Sequence, residues 1–152
     1  MMFFGDAPRR WVDRGWRRIG RSTGPRPILV VEDNGAVRSW MVDALQEAFR
    51  TEVFVEESGD RALEAVRSRR FGIVITDMQH PGADGVAFCE QLRDASRTPV
   101  LVASAGCVFP HLTKTLEAEG LDWLAKPFGS DELVAKVKGI VVRGRRRRVT
   151  PA

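Results

Sequence analysis

Ile73-Val74-Ile75 leads through Thr76 to a single carboxylate, Asp77, and the chain then breaks at Pro81, Gly82 and Gly85. Ile28-Leu29-Val30-Val31 ends in the same manner on Glu32 and Asp33. Val100-Leu101-Val102-Ala103 ends on Ser104, and Trp123-Leu124-Ala125 ends on Lys126. Apolar runs with β-branched residues suit strands covered on both faces, as in a parallel sheet. Residues that follow such strands lie at the carboxyl edge of the sheet, where ligands bind in open α/β folds. Three carboxylates gathered there repel one another, and a divalent cation relieves the repulsion. Oxygen donors at an open site suit Mg2+, and a nearby hydroxyl and ammonium suit the oxygens of a phosphoryl group. An acceptor carboxylate, a cation, a hydroxyl and a lysine are the parts of phosphoryl transfer onto Asp, a reaction of positioning and charge neutralisation. Each residue also has an ordinary reading. Asp77 and Ser104 could be turn residues, Glu32 and Asp33 helix N-terminal acids, and Lys126 a surface lysine. Five such residues at four strand ends favour a site.

The elements that would position them follow from periodicity. Asn34 can cap a helix carrying Val37, Met41, Leu45 and Ala48 through Phe49. Residues 51–56 alternate like a strand. Ser58 and Gly59 open a helix with Ala62, Leu63 and Val66 inward, ending near Arg69-Arg70. A helix is expected over about 84–94, a strand from Thr98 to Ala103, and a helix from Phe109 to Glu119 stopped by Gly120. Ser130 is expected to cap a last helix carrying Leu133, Val137 and Ile140. Strands thus alternate with helices five times, which specifies an α/β doubly wound parallel sheet with right-handed crossovers. No Gly-x-Gly-x-x-Gly or Gly-x-x-x-x-Gly-Lys follows the first strand, which disfavours a nucleotide-binding fold.

The bulk numbers restrict the rest. A chain of 152 residues has room for one ordinary domain. No stretch nears the ~18–20 apolar residues of a membrane span, and the N-terminus lacks the pattern of a signal peptide. Cys89 and Cys107 fit no metal spacing and read as reduced thiols of a cytoplasmic protein. The net charge of +4 is unevenly spread. Residues 1–27 hold seven Arg and two Asp, and residues 143–152 hold five Arg and no acid. The body between them carries twelve basic and eighteen acidic residues, a net of −6. The expected organisation is a basic, disordered leader over 1–26, a domain over 27–142 and an Arg-rich tail over 143–152 that leaves it.

From residue 27 to about 142 the sequence resembles the receiver domains of two-component response regulators. The resemblance rests on Val30-Val31-Glu32-Asp33-Asn34, on Asp77 with Pro81-Gly82-Ala83-Asp84-Gly85, on Val102-Ala103-Ser104-Ala105 and on Trp123-Leu124-Ala125-Lys126-Pro127-Phe128. It implies a flavodoxin-like (βα)5 fold with strand order 2-1-3-4-5. It implies that Asp77 is the phosphoacceptor, charged by a sensor histidine kinase or a phosphotransfer protein. Asp33, Asp77 and the backbone carbonyl of Gln79 would ligate Mg2+, with Glu32 acting through a water. Ser104 would be the switch hydroxyl that turns toward the phosphoryl group, and Lys126 the cation paired with it, before a cis bond to Pro127. Trp123 stands where the family keeps a smaller aromatic that changes rotamer. His80 replaces the usual Met before Pro81, and Ser104 replaces the commoner Thr. Such a domain is a signalling module rather than an enzyme, with at most self-phosphotransfer and autodephosphorylation of its own. The ten residues after Val142 suggest a stand-alone receiver read by a downstream protein through helix 4, strand 5 and helix 5. The alternative is a nucleic-acid- or membrane-associated protein acting through its Arg tails, with a degenerate receiver fold.

Overall fold

The computed structural model describes residues 26–78 and 85–149; side chains are described for these except at Val108 and residues 144–149. Residues 1–25, 79–84 and 150–152 lie outside the described residues. Five parallel strands form one sheet in the order β2-β1-β3-β4-β5. They are β1 (Ile28–Val31), β2 (Val53–Glu56), β3 (Ile73–Thr76), β4 (Val100–Ser104) and β5 (Asp122–Ala125). The helices are α1 (Gly35–Phe49), α2 (Gly59–Ser68), α3 (Gly85–Ala95), α4 (Pro110–Ala118) and α5 (Ser130–Val149). A 3-10 turn, Ala105–Val108, joins β4 to α4. The expected doubly wound fold and strand order are what the chain adopts.

Alternation along each buried strand divides the core in two. Leu29, Val31, Val74, Val100 and Val102 face the layer that includes α2 and α3. Ile28, Val30, Ile73, Ile75, Leu101 and Ala103 face the layer of α1 and α5. Both faces are covered, and β1, β3 and β4 are buried throughout. This two-sided burial is why those strands read as continuous apolar runs.

The termini of the helices are set by local chemistry. The Asn34 side chain accepts from the Val37 amide (3.1 Å), and the Ser58 hydroxyl accepts from the Arg61 amide (3.4 Å). Gly120 ends the α4 connection at φ +70, a conformation that glycine adopts without strain.

Three expectations need correction. Ser130 lies inside α5 rather than capping it: Gly129 precedes the first turn, and the Glu132 side chain accepts from the Gly129 amide (3.2 Å), as in half of a capping box. β2 starts at Val53, not Thr51. β4 starts at Val100 and runs through Ser104, while Thr98 lies before it, its hydroxyl accepting from Ser96 Oγ and donating to the Phe71 carbonyl. The last helix, α5, continues through the Arg-rich segment to Val149.

Candidate functional site

Strand order places the site. It reverses between β1 and β3, and a crevice opens there at the carboxyl edge. Val31 pairs with Thr76, so the residues that follow, Glu32 and Asp77, emerge side by side. The Asp77 amide donates to the Val31 carbonyl (3.2 Å), which extends the ladder one step past the strands. Ser104 pairs with Ala125, and the Lys126 amide donates to the Ser104 carbonyl (3.1 Å). Of the residues singled out in the sequence, Glu32, Asp77 and Lys126 are joined directly. Asp33 stands at the mouth of the same edge, exposed. Gln79 and His80 lie outside the described residues.

Lys126 holds the centre. Its Nζ donates to Glu32 Oε1 (2.5 Å) and to Asp77 Oδ2 (2.8 Å). These are charge-assisted bonds with little water around them, the side chains of Lys126, Glu32 and Asp77 being 20%, 3% and 12% exposed. Burial on its own would lower the pKa of Lys126, but the hydrogen bonds and charges of Asp77 and Glu32 outweigh it and hold the ammonium above its ordinary range. Lysine serves here as a fixed point charge between two carboxylates that would otherwise repel.

The hydroxyl partner lies on the other face of the sheet edge. Ser104 is buried, and its Oγ accepts from the Gly106 amide (3.2 Å), capping the 3-10 turn. Trp123 packs half-buried against the α2–α3 layer, in register with Val102. The Lys126–Pro127 bond is cis. The Cys107 thiol is buried nearby; burial pushes its pKa up, a backbone hydrogen bond at Ser104 opposes this, and the Asp77 charge adds to the rise.

A residue that the sequence reading passed over also touches the site. Arg38, in the first turns of α1, donates from Nη1 to the carbonyls of Glu32 (2.9 Å) and Asp33 (3.5 Å). Its Nη2 pairs with Glu57 Oε1 (3.2 Å). The signal was present: a cation close to a helix N-terminus opposes the helix dipole, and α1 has no acid in its first turn.

The donor set suits Mg2+. Every acidic group at this edge supplies carboxylate oxygen, the ligand type that Mg2+ prefers. Glu32 has both oxygens engaged, Oε2 accepting from the Asn34 amide (3.3 Å), which suits a part at one remove from the ion. Among the described residues no three His, Cys, Asp or Glu side chains group closely enough to enclose a metal.

Comparison with known proteins places these features in context. The family described as "Response regulator receiver domain" matches residues 28–138. The transcriptional regulatory protein CseB of Streptomyces avermitilis is 34% identical over 119 residues, 76% of this chain and 49% of CseB. The KDP operon transcriptional regulatory protein KdpE of Escherichia coli is 36% identical over 111 residues, 73% of this chain and 49% of KdpE. The chain therefore spans about half the length of the curated relatives it matches. Among solved structures, the chemotaxis protein CheY4 of Vibrio cholerae superposes with a TM-score of 0.70 at 27% identity, covering 77% of this chain and 99% of that one. The receiver domain of sensor histidine kinase PA1611 from Pseudomonas aeruginosa, with magnesium in its active-site cleft, gives 0.69 at 24% identity, covering 78% and 99%. At that identity the last likeness speaks to the fold alone.

Proposed function

The chain belongs to the response regulator receiver domain family, and from that premise we propose that it takes a phosphoryl group onto Asp77. The donor is the phosphohistidine of a sensor kinase or phosphotransfer protein: its P–N bond breaks as a P–O bond forms to an Asp77 oxygen. The observation that carries the reading is Lys126, held between Asp77 and Glu32 at the switch point of the sheet. In the phosphorylated state the ammonium neutralises a phosphoryl oxygen rather than the bare carboxylate. Asp33, Asp77 and the carbonyl of Gln79 would hold Mg2+, with Glu32 acting through water; when bound, the ion neutralises charge on the transferring group. Ser104 would exchange its bond to Gly106 for one to the phosphoryl group. Trp123, two residues before the Ala125 partner of Ser104, would report that movement to the surface formed by α4, β5 and α5. A downstream protein would read that surface, and the cytoplasm is the expected compartment. Among the described residues no helix is long and apolar enough to cross a membrane.

The test is labelling by a small phosphodonor such as acetyl phosphate in Mg2+. Wild-type protein should label, whereas Asp77→Asn and EDTA-treated protein should not. Undiminished labelling of Asp77→Asn would remove the assignment. The variant is a clean one, since it leaves Glu32 and Lys126 as a matched pair.

A second reading concerns the far end of α5. Ile140 and the partly buried Val141 are the last residues of this helix packed on the core, yet the helix runs on to Val149 through five Arg. That segment supports an additional contact with a polyanion such as nucleic acid.

A further inference from the structure

The Arg38 guanidinium is placed where a merely solubilising charge would not be. Its side chain is only 13% exposed. It lies near the N-terminus of α1, whose dipole disfavours a cation, and it folds back toward that end. A Cβ added at Gly35 would stand 3.6 Å from Arg38 Nη2. Two costs, partial burial and an adverse dipole, are offset by three acceptors. Two are the carbonyls of Glu32 and Asp33, the residues that carry the acidic pair. The third is Glu57, 66% exposed, in the connection between β2 and α2. The rigid planar fork offers separate nitrogens, so Nη1 takes the two carbonyls while Nη2 takes Glu57; a lysine has one nitrogen on a flexible stem.

We propose that Arg38 is a positioning residue for the divalent cation: it fixes the backbone of the Glu32-Asp33 turn and so aims the Asp33 carboxylate across the crevice toward Asp77. The proposal rests on the reading of this edge as the Mg2+ and phosphoacceptor site. It makes a prediction opposite in sign to simple electrostatics. Removing a nearby positive charge should strengthen binding of a cation, whereas releasing the turn should weaken it, because Asp33 would then have to be ordered at the expense of binding energy.

The experiment is calorimetric titration of MgCl2 into wild type, Arg38→Ala, Arg38→Lys and Glu57→Gln, at low ionic strength and without phosphodonor. Arg38→Ala should weaken Mg2+ affinity by roughly 10-fold, the scale of outer-shell substitutions. Arg38→Lys keeps the charge but not the fork and should recover only part of that loss. Glu57→Gln, an exposed substitution that leaves the fold intact, should weaken affinity by a smaller factor. Thermal melts of each variant separate a loosened turn from an unfolded domain. Unchanged or tighter Mg2+ binding by folded Arg38→Ala, or by Glu57→Gln if Arg38→Ala does not fold, overturns the proposal while leaving the site reading in place. A wild type that binds no Mg2+ overturns both.

Discussion

Lys126 shows what one residue contributes at the edge of this sheet. Glu32 is 2% exposed, and removing its cation would leave a buried carboxylate unpaired. Lys126→Met should therefore destabilise the fold by about 3 kcal/mol, the lower end for breaking a buried pair, as read by urea unfolding at pH 7. The pH dependence has a definite sign. The folded-state pKa of Lys126 is raised above its ordinary 10.5. Its contribution is complete below 10.5 and is lost as pH rises through the higher folded-state value. The stability gap between wild type and Lys126→Met should stay flat to about pH 10 and close only beyond the ordinary lysine range. A gap that closes between pH 6 and 8 would mean that another group governs the site. At the two cysteines burial itself is the larger effect and disfavours the thiolate. Burial pushes Cys89 up to about 12, and Cys107 is raised as well.

At the scale of elements, the start of α3 lies close against the residue that follows Asp77. A Cβ on Gly85 would stand 2.7 Å from Met78 Cε, 2.8 Å from Met78 Cβ and 3.0 Å from the Met78 carbonyl oxygen. Part of that obstruction is backbone, so the start of α3 or the residue after Asp77 must shift. Gly85→Ala should cost about 1–3 kcal/mol, as overpacking does, and should slow phosphodonor labelling of Asp77 more than a remote substitution of equal cost. Equal labelling rates at matched stability would separate this junction from the site. Close approach is thus the reason for this glycine, whereas at Gly120 nothing stands within 4 Å and only the backbone conformation matters.

At the scale of the whole molecule, charge is segregated. The body is acidic and both ends are basic, and one basic end continues α5 past the core. An acidic body repels polyanions, so any affinity for duplex DNA or heparin should reside in the ends. If the five Arg of residues 143–152 each meet a phosphate, log affinity should fall with log salt at a slope of roughly −4 to −5. Deleting residues 143–152 should abolish most of that binding in a salt-dependent retention assay. Binding that survives this deletion together with deletion of residues 1–24 would exclude the tail reading. Among the described side chains the deletion removes the exposed pair Arg143 to Asp122 (2.8 Å), and it should barely alter stability.

The sequence by itself determined the order of elements, the strand ends and the five polar residues on them. Burial on both faces turns each inner strand into an unbroken apolar run, and the first polar residue after it marks the edge. It also carried the caps at Asn34 and Ser58, because capping is local. It could not place Ser130, which lies inside α5 while the Glu132 side chain accepts from the Gly129 amide. Only the tertiary structure decided that Lys126, 94 residues from Glu32 and 49 from Asp77, bonds to both. Such pairing depends on strand order, which periodicity does not encode. Arg38 belongs to the same class: its acceptors are two backbone carbonyls and a side chain from a neighbouring connection, and no spacing of residue types announces them.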